Sequence, residues 1–484
     1  MSAKHLPQAG PELRRVLGKW DLVFLFVAAL TNLNVVPAIA ASGPETVWLS
    51  LAALTLFFWP QGIAVIELSH RFPGEGGIYL WSKEIFGDFH GFLSGWCYWT
   101  NNVFYIPTLL FYAVGISLYI GGTRFTALGN NRAFVIVLSL LVLSFIVTLN
   151  IRGLGVGKWL SNLGAFGTTI AAIALAVLAA VHWHLFGLNL SAKDFRIANA
   201  DWHLASTFGV ICFALVGLEL ASVMGDEIRD PRRNLPRAVV WGGIISGTLY
   251  IGATLAVLIA LPKKDISVVQ GILQAVTKMS SDIGVTWFVP PLAVALTVAI
   301  AGTTSAWLSG SARIPFVAGL DRYLPPALGR VHPRYHTPHV ALIVQAVLSC
   351  LFIAMSFVGA TVEEAYQILL LLAVVLQLVP YLYMFGALIA VAMRGDLQEA
   401  YYSRATIWLA GLSGFASTAL GMIVAFVPPA GRHELPWLFE LKMFIGCAFF
   451  IGLATFFFFV YSRCKEREII RLAGMSPGAR GESL

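Results

Sequence analysis

Twelve apolar runs, each of about twenty residues, fill this chain almost end to end, and no other feature narrows its fold so far. They cover approximately 20–41, 45–68, 91–120, 133–149, 160–182, 204–225, 238–261, 284–308, 338–357, 364–392, 405–427 and 437–461. Runs of that length cross a bilayer as helices, because lipid offers backbone groups no partner outside their own segment. The expected fold is therefore an all-α integral membrane protein with twelve transmembrane helices. Composition agrees: 58% of the 484 residues are hydrophobic and 12% are charged, against about 25% charged in a soluble domain. What remains between the runs is too short for a soluble domain. Residues 1–19 are polar and the first apolar run has full spanning length, so no cleavable signal peptide is expected.

The net charge of +7 is topological rather than a nucleic-acid footprint. With the N-terminus inside, 23 of the 32 Lys and Arg residues fall on the inner side and nine on the outer. That bias places both termini, 1–19 and 462–484, in the cytoplasm of a cell (inner) membrane. Cys97, Cys212, Cys350, Cys447 and Cys464 show no metal-ligand spacing and suggest no structural disulfide. The ten histidines form no metal cluster in sequence; His182, His184 and His203 fall near the outer surface, and His332 and His336 in a cytoplasmic loop. No metal and no cofactor is expected.

Two spans are interrupted. In the sixth, Gly217-Leu218-Glu219 puts a glycine and a lone carboxylate in mid-membrane. An intramembrane carboxylate costs a few kcal/mol, and irregular backbone at that depth is tolerated only in protein or beside a cavity. In the first, Thr31-Asn32-Leu33-Asn34 breaks an apolar run and Pro37 follows. Either Pro37 kinks a helix whose Asn side chains bond their neighbours, or the segment is unwound and offers its backbone to a ligand. The breaks are five spans apart, which points to two inverted repeats of five spans (20–182, and 204–357 continuing to 392), with 405–461 as an added pair. Facing half-helix ends would offer N–H groups to anions and carbonyls to cations.

Four stretches in order then resemble the amino acid–polyamine–organocation (APC) transporters. IELSHRFPGEGGIYLWSKEIFG (66–87) looks like that family's acidic, then Pro-Gly-Gly signature. Gly91-Phe92-Leu93-Ser94-Gly95-Trp96 is similar to its aromatic opening of helix 3. FALVGLELASVMGDEIRDPRRNLPRA (213–238) resembles its sixth helix and following loop, and GSARIPFVAGLDRYLPPALGRVHPRYHTP (310–338) the loop after its eighth. The resemblance implies a LeuT-like 5+5 fold with discontinuous helices 1 and 6, working by alternating access. It places Phe213 as an aromatic closing over substrate, with Ala214 beside it and Gly217 in the unwound stretch. Glu219 matches an acidic position, and Thr31 and Asn32 align with the turn that binds the substrate carboxylate.

The chain departs from the family in two places. Leu30-Thr31-Asn32 stands where relatives carry a Gly-Ser-Gly-like run, so Asn side chains replace glycine amides that approach an anion closely. Asn34-Val35-Val36 looks closer to glutamate/GABA-type exchangers. Thr168 stands where several proton-coupled members place a lysine, with Thr169 next and Lys158 about three turns earlier. Coupling then falls to a proton on Glu219, to sodium, or to exchange without an ion. Thr303, Thr304 and Ser305 on helix 8 either coordinate sodium or bond back to their own helix. The candidates for coupling are Glu219, Thr168, Thr304 and Ser305.

Other polar residues have competing roles. Asn101 and Asn102 on helix 3, with Trp96, Trp99 and Tyr105, could edge the site, the aromatic residues serving equally as packing or interface anchors, and Gln377 is the mid-span amide of helix 10, able to reach the cavity. Glu67 reads as a structural partner near a charged loop. The loop 226–237 reads as a cytoplasmic gate whose ion pairs break as helices rock. One mid-membrane carboxylate with no clear lysine or arginine favours a zwitterionic amino acid over a polyamine, although Glu219 could pair with an amine. A channel would need a repeated filter and an enzyme a nucleophile–base pair or metal; neither pattern is present in the sequence. The expected partners are a small amine-bearing substrate and the lipid bilayer, without nucleic acid, in a monomer or homodimer.

Overall fold

The structure is a computed structural model that describes residues 17–74, 76–187, 190–191, 193–196, 202–223, 228–355, 362–394, 400–428 and 436–472. Expectations for 1–16, for 226–227 of the gate loop and for the end of the tail lie outside these residues. The described regular structure is helical. The order is α1 (Lys19–Leu30), α2 (Val36–Ala40), α3 (Thr46–Arg71), α4 (Ile78–Phe86), α5 (Asp88–Ser117), α6 (Arg132–Ile151), α7 (Leu154–Phe186), α8 (Trp202–Ala214) and α9 (Leu220–Val223). It continues with α10 (Pro231–Ala260), α11 (Gly271–Ile283), α12 (Val289–Ser311), α13 (Arg313–Leu320), α14 (His339–Met355), α15 (Val362–Arg394), α16 (Arg404–Val424) and α17 (Pro436–Leu472).

Among the described residues nine helices are long and apolar enough to span a membrane, and Leu204–Ala214 and His339–Ala354 are shorter apolar helices. The remaining expected span, 20–41, is divided between α1 and α2. The sixth is divided between α8 and α9. Large apolar side chains such as Leu141, Phe145, Ile170, Leu409 and Phe444 point outward and are exposed, as lipid-facing surfaces require.

At the centre stands α5, whose most apolar 18-residue window is 89% buried, against 22% for the peripheral α17. It packs against α4, α12 and α15, while α1 packs against α10 and α7. Where α7 crosses α12, Gly164 and Gly302 meet so closely that a Cβ on either would lie 2.5 Å from the other's Cα. Small residues let helix backbones approach when no water is available to drive association.

The loops around α4 and α13 are tied together. Tyr79 and Lys83 of α4 each reach Asp321 at 2.6 Å, and Tyr323 donates to Asp88 at 2.5 Å. Burial, reinforced by the Asp321 carboxylate, pushes the Tyr79 phenol well above its ordinary range. Two of the four family-like stretches thus meet in space.

Candidate functional site

Each break is stabilised by the other. In a continuous helix the Ala214 carbonyl would accept from Leu218; here it accepts from Asn32 Nδ2 at 3.0 Å, a side chain from the break in the first span. The backbone around Asn32 closes in tight turns, with Asn32 N donating to Leu30 O and Val35 N to Asn32 O, both at 2.9 Å. Pro37 then falls at the second position of α2, where a missing N–H costs no helical bond. The Asn34 carbonyl, also freed, accepts from the Tyr366 hydroxyl at 2.7 Å. Tyr105 of α5 sits 3.0 Å from Asn32 Oδ1 and 3.2 Å from Asn34 Oδ1, its one proton shared between them. Phe213 meets the Tyr105 ring edge-on at 5.0 Å, and Tyr105 meets Trp307 of α12 at 6.0 Å.

Gly217 has φ +133°, a conformation that side-chain-bearing residues rarely adopt. Its N–H turns away from the helix ladder and donates to Glu219 Oε2 at 2.9 Å. The same oxygen accepts from Gln61 Nε2 at 3.0 Å and from the Tyr381 hydroxyl. Oε1 accepts from the Tyr98 hydroxyl at 3.2 Å and from Gln377 Nε2 at 3.3 Å. An ionised carboxylate has about four lone-pair positions, so these donors saturate it. None of them is cationic. The carboxylate joins α3, α5, α9 and α15 through neutral hydrogen bonds alone.

All the substrate candidates are buried: Thr31, Asn32, Asn34, Asn102, Phe213, Ala214, Gly217, Glu219 and Gln377. Asn32, Asn34, Phe213 and Ala214 form one cluster around Tyr105. Gly217, Glu219 and Gln377 form a second around Tyr98 and Tyr381, and Tyr98 reaches Trp307 at 6.4 Å. Asn102 bonds back to its own helix, donating to Tyr98 O at 2.9 Å, whereas Asn101 pairs with Gln377 Oε1. Thr31 Oγ1, Asn34 Nδ2, Asn102 Oδ1 and Trp307 Nε1 are buried without a hydrogen-bond partner among the described residues.

The ion candidates do not converge on Glu219. Thr304 donates to Ile300 O at 2.7 Å and Thr303 to Ala299 O at 3.2 Å. Ser305 turns toward α6 and accepts from Asn150 Nδ2 at 2.9 Å. Thr168 Oγ1 is buried and has no partner among the described residues. Glu67 is taken up structurally: Arg71 Nε lies 2.6 Å from one oxygen, and the N–H groups of Tyr401 and Tyr402 each lie 3.0 Å from the other.

Tyr105 was open in sequence between edging the site and packing, whereas Gln61, Tyr98, Tyr366, Tyr381 and Trp307 carried no site reading there. Gln61 carried a usable signal: it is an amide directly after Pro60 inside an apolar span. The aromatic residues carried little, because rings are common in membrane helices and at their interfaces. A cavity of about 200 Å³ lined by Ser69, His70, Trp81, Ser222, Arg232 and Tyr401 reaches α9.

The sequence profile of the amino acid permease family matches residues 17–458. The chain belongs to that family. It is similar to an uncharacterized transporter of Legionella pneumophila, 28% identical over 457 residues, 92% of the permease and 97% of the relative. The serine/threonine exchanger SteT of Bacillus subtilis is 27% identical, with 64% of the permease and 68% of SteT covered. The probable agmatine/putrescine antiporter AguD of Lactococcus lactis is 23% identical, covering 59% and 60%. The permease is accordingly a multi-pass membrane transport protein of the APC group, with a small-molecule substrate.

Proposed function

We propose that the permease is a secondary active transporter, a symporter or exchanger, that carries amino acids across the cell membrane by alternating access between two inverted repeats of five spans. Two facing breaks, joined through Asn32 and Ala214, carry this reading. They leave backbone dipoles and uncommitted polar atoms at one depth, between helices from both halves of the chain. The buried Thr31 hydroxyl and Asn34 amide supply donors for a carboxylate, and Asn102 Oδ1 supplies an acceptor for an amine. Phe213 and Trp307 flank Tyr105 between them. Glu219 is the acid whose charge couples the cycle to protons; Thr168, Thr304 and Ser305 supply oxygens if sodium is the driving ion.

An organic amine or polyamine is the second reading, because Glu219 alone could pair with one ammonium group. Uptake into proteoliposomes separates the two. Amino acids are expected to compete saturably for flux that depends on a proton gradient, a sodium gradient or substrate on the far side. Competition by polyamines alone would favour the second reading, and unitary currents would indicate a channel. Gly217→Leu is expected to abolish binding and flux. A Gly217→Leu protein that transports like the wild type would show that the site is elsewhere.

A further inference from the structure

The third helix is irregular just where it meets Glu219. Residues Leu54–Phe58 form a π-turn, which inserts a residue and rotates the rest of the helix by about 100°. Pro60, two residues on, has no N–H for the Leu56 carbonyl, and the Ser417 hydroxyl of α16 lies 3.0 Å from that carbonyl and 3.1 Å from Gly414 O, its one proton shared between them. Phe57 stacks on the Tyr381 ring at 5.4 Å. The distortion, held from α15 and α16, turns Gln61 inward, where it is fully buried.

Gln61 Nε2 donates to Glu219 at 3.0 Å and lies 2.6 Å from the Tyr381 hydroxyl, while Gln61 Oε1 has no partner among the described residues. A charged carboxylate only accepts hydrogen bonds; a neutral one needs an acceptor for its O–H. The other amide on Glu219, Gln377, already has its oxygen engaged by Asn101. Gln61 therefore holds the uncommitted amide oxygen on the acid.

We propose that Gln61 is a positioning residue for Glu219, holding the carboxylate across the break in the sixth span and turning its amide to partner the acid in both charged and neutral forms. When a proton from water reaches Glu219, rotation about the last side-chain bond presents Gln61 Oε1 to the new O–H. Tyr98, Tyr381, Gln377 and Gly217 N–H complete the surroundings. The formal charges on the elements packed around it stand near helix ends. Among the described side chains these are Lys19 and Asp21 on α1, Glu67, His70 and Arg71 on α3, Asp88 and His90 on α5, Arg232, Arg233 and Arg237 on α10, Arg394 on α15 and Arg404 on α16; α12 carries none.

This inference rests on the transport site proposed above, but its test does not need transport. The infrared C=O stretch of a neutral carboxyl, assigned by its loss in Glu219→Gln, is followed against pH in the purified permease. Gln61→Met keeps the length and removes both amide atoms. It is expected to displace the Glu219 titration by about one to two pH units toward the neutral form, from one lost hydrogen bond to a charged group. Gln61→Glu, the second variant if Gln61→Met does not fold, is expected to displace it further through like-charge repulsion. A titration unmoved in either folded variant, or a Glu219 that stays ionised at every accessible pH in wild type and variant alike, would overturn the role of Gln61. The site itself would fail separately, if Gly217→Leu transported normally.

Discussion

Replacing Gly217 by alanine tests the break in the sixth span most directly. At φ +133° an alanine is strained by about 1–3 kcal/mol. Its Cβ would also lie 3.2 Å from Leu30 Cδ2, a flexible methyl able to yield, and 3.5 Å from the Ala29 backbone. Gly252 is the internal reference. It lies inside α10, and a Cβ there meets nothing within 4 Å. Gly252→Ala should gain about 0.5–1 kcal/mol from reduced chain entropy. The two substitutions are therefore expected to differ by about 1.5–4 kcal/mol in stability, with Gly217→Ala the weaker protein. Unfolding of purified variants in mixed micelles, titrated with a denaturing detergent, measures the gap. Equal midpoints for the two variants would mean that Gly217 does not hold the unwound conformation, and the argument from facing breaks would fail with it.

Two further outcomes concern side chains away from the breaks. Glu67→Gln removes the buried negative charge that Arg71 and two backbone N–H groups face and should lower stability by about 3–5 kcal/mol; a double-mutant cycle with Arg71→Met, read as unfolding midpoints, checks the coupling. Between α11 and α7, Asp282 accepts from Lys278 at 2.8 Å and faces His182 at 3.0 Å. The Lys278 hydrogen bond first, and His182 after it, hold the Asp282 carboxyl below the usual carboxylate range. A depressed carboxylate contributes stability that is present above its unfolded value, about 3.9, and is lost as pH falls through the folded one. Asp282→Asn should flatten the acid limb of a thermal-stability profile below about pH 4, and an unchanged limb would count against the contact.

Both interruptions were legible because each violates the rule for its surroundings: amides before a proline in one apolar run, a glycine and an acid in another. The polarity that makes a residue costly in lipid also makes it conspicuous in sequence. Gln61, Tyr98 and Tyr381 escaped selection for the opposite reason. Tyrosines fit an ordinary span, Gln61 stands out there only as an amide after a proline, and their shared partner lies 158, 121 and 162 residues away. Periodicity reports which face of a helix is apolar, not which distant helix meets it. Glu67 is an intermediate case. Its structural role was readable from the charged loop nearby, but its use of two backbone N–H groups at Tyr401 and Tyr402 was not.

The amino-acid order alone determined that this chain lives in a bilayer, where its spans lie and where two of them must break, since lipid penalises each unpaired polar group at its own position. Only the assembled helices decided how those groups are satisfied: Asn32 on Ala214, Tyr366 on Asn34, and five neutral donors around Glu219. A hydrogen bond between segments depends on distance and direction in space. Its energy is therefore a property of packing, and local sequence carries no record of it.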